Sequence, residues 1–440
     1  MNVNPITRLD YPDLDVIRVE DTYYMVSTTM HFMPGCEILQ SFDLVHWEHV
    51  TYVYETLDHT DAQQLKSGQN IYGQGMWAAS LRYHEGRFCI CFVANDTRKT
   101  YLYTSEKIDG PWKKQLIEGF YHDGSLLFDE DGRNYIVYGN DEIWITELNE
   151  DLTAPKKDGL HRLLVSDHKN PELGYEGSHI QKINGYYYIF LIHSLRDRWM
   201  RTEACFYSDS LEGEFTGGDV LCDDRGYCGQ GVAQGGIVDT PDGKWYAMLF
   251  QDSGAVGRIP ILLPVTWKDH FPFFGQNGHV PEEIEVHSTR PGYIYQPLVG
   301  SDDFCNGLLP RWQFNHDPDP RYYHLDALQG TYTITTREVC TELTQAVNTL
   351  TQRMSYPSCA AEVTVDASAL KEGDVAGLCA LQSCYAAVGI TKHHGKYEVL
   401  MLDKKEDGIL DMTEGTVVES HQMDFRLEAD FCNMKDEARC

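Results

Sequence analysis

Residues 123–139, DGSLLFDEDGRNYIVYG, hold the pattern that decides the fold: a polar lead residue, a short strand, a tight turn and a second strand. The turn begins eight positions after the lead, and four other stretches of the chain share this spacing. The leads are Asp13, Trp77, Asp123, Glu176 and Gln234, and the turns begin at Asp21, Glu85, Asp131, Asn184 and Asp242. The recurrence indicates a structural repeat built on β-hairpins.

The turn residues support this interpretation. The last four copies carry Glu-Gly, Asp-Gly, Asn-Gly and Asp-Gly, and two-residue hairpin turns favour such pairs because their central residues need a positive φ. The first copy has Asp21-Thr22 instead, which predicts a looser turn. The strands that follow are rich in Tyr, Phe, Trp, Ile and Val, which suit a half-buried sheet.

The length of the repeat predicts its architecture. Successive leads lie 46 to 64 residues apart, which leaves room for about four short strands in each copy. Repeats of this size made only of strands are typical of a β-propeller. We therefore predict an all-β protein with a five-bladed β-propeller over residues 1–295. The innermost strand of each blade lines the axial channel, so the five leads should converge at one of its mouths.

The pattern stops near residue 290, and the Pro- and Gly-containing segment 286–302 reads as a linker. Residues 303–440 then carry short alternating strands, such as YTITTREV, AAEVTVDA and KYEVLMLD. These predict a second domain, a jelly-roll-like β-sandwich. The last predicted strand, RLEADF, ends close to residue 440, so we expect a C-terminally truncated sandwich with an open edge.

Composition limits the partners and the compartment. The net charge of −31 argues against binding to nucleic acid or to an anionic membrane and suits a small neutral ligand; a homo-oligomer is left open. The first residues lack a basic segment followed by an apolar core, so no signal peptide is expected. The 13 cysteines are scattered and form no CxxC pair, which argues against zinc and predicts a reducing, cytoplasmic compartment.

Three of the five leads are carboxylates. Each of Asp13, Asp123 and Glu176 alone would read as a turn or cap residue, but a common offset in three repeats indicates a shared site. Two carboxylates that face each other across a pocket suit glycoside hydrolysis, with one as proton donor and the other ionised. Three oxygen ligands could instead hold Ca²⁺ or Mg²⁺. Trp77 offers a flat surface for a sugar ring, although it could equally belong to the blade core.

These motifs resemble glycoside hydrolase family 43, the five-bladed β-xylosidases and α-L-arabinofuranosidases. NPITRLDYPDLDVIRVEDTYYMVSTT (residues 4–29) is similar to the first-blade motif of that family. YHDGSLLFDEDGRNYIVYG (121–139) and EGSHIQKINGYYYIF (176–190) are similar to its third- and fourth-blade motifs. DDFCNGLLPRWQFNHDPDPRYYHL (302–325) resembles the start of the sandwich domain found in the xylosidase branch.

The resemblance implies a role for each carboxylate. Asp13 would be the general base that activates water, Glu176 the general acid, and Asp123 the residue that orients the acid and adjusts its pKa. Such enzymes are similar to the inverting class, in which the two carboxyl groups stand roughly 6.5–9.5 Å apart with water between them.

The resemblance also implies four substrate-binding residues, Trp77, Phe32, Arg258 and Gln234. Trp77 (in MWAAS) matches the family's stacking aromatic, and Phe32 (in MHFMPG) falls in the loop that shapes the pocket for the terminal sugar. Arg258 (in VGRIP) matches an arginine that hydrogen-bonds sugar hydroxyls.

Two departures from the family pattern bear on the site. The family's Pro-Ser after the base is Leu14-Asp15 here, so Asp15 is a minor rival for the role of base. Gln234 stands where many members have a His linked to a channel calcium. Because a neutral amide is a weaker ligand, the resemblance predicts no metal ligands and no required cofactor, and a channel Ca²⁺ is left open.

The leading hypothesis is an inverting exo-glycosidase that removes terminal xylose from small β-1,4-xylooligosaccharides by a single displacement. An α-L-arabinofuranosidase that removes arabinose side chains is the nearest alternative, because the two sugars place similar hydroxyls in space. A non-catalytic sugar-binding propeller is the alternative from another class.

Overall fold

The computed structural model describes residues 2–382 and 384–431 of the chain. It divides them into two compact units, Met1–Ser253 with Gly257–Arg353 and Gly254–Val256 with Met354–Cys440. Within the described residues, the structure has no helix of the length and apolar character that a membrane span requires.

The first unit contains five four-stranded antiparallel sheets, each formed by one continuous segment of chain. Together they form the predicted five-bladed β-propeller. Blade 1 consists of Asp15–Val19, Thr22–Val26, Gly35–Ser41 and Glu48–Tyr54; blade 2 of Met76–His84, Arg87–Ala94, Lys99–Ser105 and Lys113–Ile117; blade 3 of Ser125–Phe128, Asn134–Asn140, Glu142–Leu148 and His161–Ser166; blade 4 of Glu176–Ile183, Tyr186–Ser194, Arg201–Ser208 and Thr216–Leu221; and blade 5 of Ala233–Asp239, Trp245–Asp252, Arg258–Lys268 and Phe271–Phe274.

Apolar side chains hold neighbouring blades together. The first strand of each blade contacts the first strand of the next, and the first strand of blade 5 contacts that of blade 1. A cluster of buried side chains fills the space between each neighbouring pair of blades. Tyr, Phe, Ile, Val and Leu make up most of these clusters, and their burial supplies the main favourable term in folding.

The inner hairpins follow the predicted repeat, but their turns differ in kind. Glu85-Gly86 and Asn184-Gly185 are two-residue turns with positive φ at both residues, as predicted. At Asp131-Gly132 only the glycine has a positive φ. That prediction is wrong, because a five-residue loop closes there through the Asp129 backbone N–H to Arg133 O at 2.9 Å.

Two further turns depart from the prediction in a similar way. The loop that contains Asp242-Gly243 also has five residues and is closed by the Thr240 backbone N–H to Lys244 O at 2.9 Å. In the first copy the turn residues are Glu20 and Asp21 rather than Asp21-Thr22. Thr22 already belongs to the second strand.

The ring of blades is closed by the N-terminal segment. Strand Asn2–Val3 pairs with Glu283–Ile284, just after blade 5. The Asn4 side chain donates to Leu262 O at 2.8 Å and to Pro281 O at 2.9 Å, and it accepts from Leu262 N at 3.1 Å. An ion pair between Arg18 of blade 1 and Asp239 of blade 5 spans the same junction at 2.5 Å.

Residues 303–353, which the sequence analysis assigned to the sandwich, belong to the same compact unit as the propeller. Gln313–Asn315 explains this placement, because it pairs with Phe32–Met33 of the propeller on one side and with Leu350–Thr351 on the other. The hairpin of Tyr323–Asp326 and Thr331–Ile334 lies in the same segment. Short 3₁₀ turns occur at Lys66–Gly68, Gly254–Val256 and Leu343–Gln345.

The second unit contains two antiparallel sheets, in agreement with the predicted sandwich. Ser358–Asp366 pairs with Gln422–Asp430 along its whole length. The other sheet contains Val375–Leu381, Tyr385–His393, Lys396–Lys404, Leu410–Met412 and Thr416–Val418. Ala367, Ile390 and Phe425 are buried at the centre of the unit. The expected truncation of the sandwich stays a prediction.

Candidate active site

The backbone turns sharply at the start of each inner strand. A positive φ occurs at three of the leads, Asp13 (50°), Asp123 (48°) and Gln234 (61°). In the other two blades the residue after the lead has the positive φ, Ala78 at 37° and Gly177 at 66°. Such conformations are costly for residues other than glycine and are concentrated at functional sites. One cavity is lined by Asp13, Asp123 and Gln234 together with Ala78 and Gly177, the neighbours of Trp77 and Glu176. The five leads thus come together around the channel mouth.

Asp13 is buried, and both of its carboxylate oxygens are engaged. Arg258 Nη1 lies 2.6 Å from Oδ1, and the Thr28 hydroxyl donates to Oδ2 at 2.7 Å. Thr28 also accepts from the Ala78 backbone N–H at 2.8 Å. The Asp13 carboxylate is therefore fixed by Arg258 and Thr28 and is tied through Thr28 to the strand that carries Trp77.

Arg258 comes from blade 5 and has a structural partner that the sequence did not reveal. The charge of Asp13 raises the pKa of Arg258, so Arg258 stays a cation. The backbone N–H of Arg258 donates to Asp10 Oδ1 at 2.6 Å, and burial raises the pKa of Asp10 to about 6. The contact of Arg258 with sugar hydroxyls stays a prediction.

The second group of charges lies on blades 3 and 4. His122 Nε2 is 3.6 Å from Asp123 Oδ2 and 3.7 Å from Glu176 Oε2. Asp123 Oδ2 also accepts the backbone N–H of Gly177 at 3.0 Å, which ties Asp123 to the strand that begins at Glu176. The Asn140 side chain donates to Glu176 Oε2 at 2.7 Å.

Burial and mutual charge shift two pKa values in this group. Burial raises the pKa of Asp123 to about 6; the nearby His122 lowers it, and Glu176 and Asp13 raise it further. Burial would lower the pKa of His122, but Glu176 and Asp123 outweigh that effect and raise it to about 9. His122 is therefore a cation near neutral pH and balances one of the two acids beside it.

His122, Asp123 and Glu176 also form the one group of His, Cys, Asp and Glu in the described ranges that could share a metal ion. Their candidate ligand atoms all lie within 4.8 Å of one another. Two of the three are the predicted acid and its orienting residue. A metal bound there would occupy the oxygens that proton transfer requires.

Of the two aromatic side chains predicted to bind substrate, Trp77 lies close to these groups. The ring of Trp77 is 6.3 Å from that of His122, and its indole N–H has no partner within the protein. Phe32 packs against His31 with 4.2 Å between ring centroids, and its backbone pairs with Asn315. Trp77 is half-buried, so part of it remains available to a ligand.

Asp15 is not a rival for the role of base. It is fully buried, and its Oδ2 accepts from Arg82 Nη1 at 2.6 Å and from the Leu81 backbone N–H at 2.8 Å. Burial would raise the pKa of Asp15, but Arg82 and His179 hold it at about 2. Asp15 is thus an anion in an ion pair with Arg82. It lies two residues after Asp13 in the chain.

Gln234 is buried and contributes no charge to the channel. Its backbone N–H donates to Glu203 Oε2 at 2.7 Å, and burial raises the pKa of Glu203 well above its usual value. The Gln234 side chain packs against Gly177, where an added Cβ would lie 2.7 Å from Gln234 Cγ. Gln234 therefore limits the space behind Glu176.

Sequence reasoning missed His122, Thr28 and Asn140. His122 directly precedes a lead in YHDGS, and this adjacency was the available signal. Asn140 is the last residue of the second strand of blade 3, and Thr28 lies two residues after the second strand of blade 1. The residue pattern at these positions predicts only a strand and gives no sign of a functional side chain.

Two family models and several known proteins match this chain. Residues 3–272 match the family model "Glycosyl hydrolases family 43", and residues 301–439 match "Beta xylosidase C-terminal Concanavalin A-like domain". A β-xylosidase of Formosa agariphila is 27% identical over 91% of this chain and 76% of its own length.

Solved structures show the same likeness. A bifunctional GH43-CE protein of Bacteroides eggerthii superposes with a TM-score of 0.91 and 42% identity over 98% of this chain. The chain spans 56% of that protein's length. A GH43 enzyme engineered to have both endo-xylanase and exo-arabinofuranosidase activity has a TM-score of 0.83 and 28% identity, over 98% of this chain and 86% of its own length.

The family model covers residues 3–272, which is more than half of the chain. The chain therefore belongs to glycoside hydrolase family 43, a family of inverting glycoside hydrolases.

Proposed function

We propose that this protein is an exo-acting β-xylosidase that removes terminal xylose from small β-1,4-xylooligosaccharides with inversion of the anomeric configuration. The observation that carries the proposal is the state of Asp13. The pairing of Asp13 with Arg258 and Thr28 supplies the ionised, oriented carboxylate that a general base requires. The names of the relatives and of the C-terminal family model support xylose as the sugar.

The reaction follows from the two charged groups. Asp13 accepts a proton from water while the water oxygen bonds to the anomeric carbon. Glu176 gives its proton to the leaving oxygen as the glycosidic bond breaks, so the single displacement inverts the anomeric centre. Asp123 fixes the strand of Glu176 through the Gly177 N–H, and Asn140 orients the acid.

Proton NMR of the first sugar released from xylobiose tests the proposal. We expect α-xylose to appear first and to equilibrate with the β-anomer by mutarotation. Release of β-xylose first would contradict the assignment of Asp13 as base. Binding of xylobiose without turnover over long incubation would favour a non-catalytic sugar-binding propeller.

An α-L-arabinofuranosidase is the second candidate. The engineered GH43 relative has exo-arabinofuranosidase activity, and the carboxylates described here could serve either sugar. Aryl β-xyloside and aryl α-L-arabinofuranoside should be assayed side by side. A higher kcat/KM on the arabinofuranoside would replace the first proposal with the second.

Enzymes of this family generally need no cofactor. We propose that this protein also lacks the channel Ca²⁺ that the His at the position of Gln234 accompanies in many members. Calcium prefers several charged oxygen ligands. The channel offers the neutral amide of Gln234, and its Asp15 carboxylate is already paired with Arg82. The donor set does not fit the ion.

We further propose small neutral oligosaccharides as the partners of this protein and a reducing, cytoplasmic compartment as its location. The buried Cys36, Cys89, Cys91 and Cys205 are free thiols, which supports a reducing compartment. The activity should therefore be unchanged by thiol reductants.

A further inference from the structure

Arg82 lies beside the cavity that Asp13 and Asp123 line, because its ion-pair partner Asp15 lines the same cavity. It belongs to the first strand of blade 2, and its side chain is 12% exposed. All five guanidinium N–H groups have acceptors within hydrogen-bond distance. The acceptors are Leu126 O (2.8 Å, from Nε), Asp15 Oδ2 and Leu81 O (2.6 Å each, from Nη1), and Ser125 Oγ and Ile180 O (2.8 and 3.2 Å, from Nη2).

These acceptors connect the strands that carry the three catalytic carboxylates. Asp15 lies two residues after Asp13, and Ser125 lies two residues after Asp123. Ile180 lies four residues after Glu176 on the same strand. One guanidinium group therefore hydrogen-bonds to residues of blades 1, 2, 3 and 4. Of these residues, Asp15 and Ser125 begin the first strands of their blades, close in the chain to the carboxylates.

We propose that Arg82 is the resident cation of the channel: it positions the three catalytic carboxylates and takes the place of a bound metal ion. The inference rests on the proposed function, because it treats Asp13, Asp123 and Glu176 as the reacting groups. A guanidinium is suited to this task because its planar fork satisfies several fixed acceptors at once.

The same geometry works against a divalent ion. The Asp15 charge is balanced by Arg82, so a dication bound beside Asp15 would be repelled by the guanidinium. The remaining Asp15 oxygen lies 3.4 Å from His179 Nδ1. Gln234 contributes an uncharged amide, and burial raises the pKa of Glu203 well above its usual value.

The first experiment uses the wild-type protein. We expect its thermal unfolding midpoint and its turnover of aryl xyloside to be the same after EDTA treatment and in millimolar CaCl₂. A fall of the midpoint with EDTA, or saturable Ca²⁺ binding by calorimetry, would overturn the proposal that Arg82 replaces the metal. Neither readout of Ca²⁺ binding requires an active enzyme.

The second experiment compares Arg82→Ala with Arg87→Ala. Arg87 is exposed at the start of the next strand and should keep wild-type turnover. Arg82→Ala should lower kcat by about 100-fold, as expected when catalytic groups are displaced by about 1 Å, with little change in KM. Millimolar guanidinium chloride should restore part of the lost kcat, whereas CaCl₂ or NaCl of equal ionic strength should not.

Arg82→Lys keeps the charge but loses the fork, so it should fold and have a kcat between those of wild type and Arg82→Ala. Wild-type kcat in Arg82→Ala, or rescue of that variant by Ca²⁺ as well as by guanidinium, would contradict the positioning role. If the wild type hydrolyses neither aryl glycoside, the proposed function fails, while the EDTA and Ca²⁺ measurements still decide whether Arg82 replaces the metal.

Discussion

The two carboxylates proposed as base and acid should respond differently to the leaving group. Asp13→Ala removes the acceptor of the water proton, so kcat should fall by about 10²–10⁴-fold on every substrate. Glu176→Ala removes the proton donor, which a good leaving group hardly needs. We expect Glu176→Ala to lower kcat on xylobiose about as much as Asp13→Ala does, but to lower kcat on a dinitrophenyl xyloside much less.

Steady-state kinetics on the two substrates would test this assignment. Asp151→Ala is a suitable control, because Asp151 is exposed on a turn of blade 3. Equal losses on both substrates in Glu176→Ala would show that Glu176 is not the proton donor.

His122 links the site to pH. Its pKa is raised from 6.5 to about 9 in the folded protein, so its charge stabilises the fold below pH 6.5, and this contribution is lost as the pH rises through 9. The shift corresponds to at most on the order of 3 kcal/mol. His122→Gln should lower the free energy of unfolding at pH 6.5 but not above pH 9.

Denaturant unfolding of both proteins at the two pH values would check this prediction. A difference between wild type and His122→Gln that stays constant from pH 6.5 to above pH 9 would mean that His122 acts by packing rather than by charge.

The turn at the start of the blade 4 inner strand can be tested through Gly177. Gly177→Ala would force a Cβ to 2.7 Å from Gln234 Cγ at a φ of +66°. We expect a loss of stability of about 1–3 kcal/mol and a fall in kcat, because Gly177 adjoins Glu176 and donates to Asp123.

Gly185→Ala is the matched control. Gly185 also has a positive φ, of +85°, but nothing lies within 4 Å of an added Cβ. It should cost only the backbone strain, about 1 kcal/mol, and leave kcat unchanged. Thermal unfolding and kinetics of both variants separate crowding at the site from strain; equal kcat in the two would contradict the role of Gly177.

The inner hairpins were the most predictable elements of this chain. The eight-residue spacing and turn pairs such as Asn184-Gly185 depend on local geometry, which a sequence expresses directly. Asp131-Gly132 misled the prediction because a dipeptide does not show how many flanking residues join the loop. The partners of Asp13 and Glu176 were not predictable, because Arg258, Thr28 and Asn140 reach them through the packing of separate strands.

The integrity of the whole propeller should depend on Asn4. Its side chain makes three hydrogen bonds to buried backbone groups across the ring junction. Asn4→Ala leaves those groups without partners, which costs about 1–3 kcal/mol for each unsatisfied group. We expect a marked fall in the thermal unfolding midpoint. Thr7→Ala, which removes two 3.4 Å contacts with the Leu9 backbone within its own turn, should change it little.

The junction between blades 5 and 1 is the seam of the molecule, where the two ends of the propeller meet. Each blade is one continuous segment, so the pairing of Asn2–Val3 with Glu283–Ile284, the Asn4 hydrogen bonds and packed side chains hold this seam. Asp13 stands on one side of this seam and its partner Arg258 on the other. A small separation of the two blades, by mechanical load or by mild heating, would pull the base from its counter-ion while every hairpin remained folded. Catalysis in this protein should therefore fail before its circular dichroism spectrum changes.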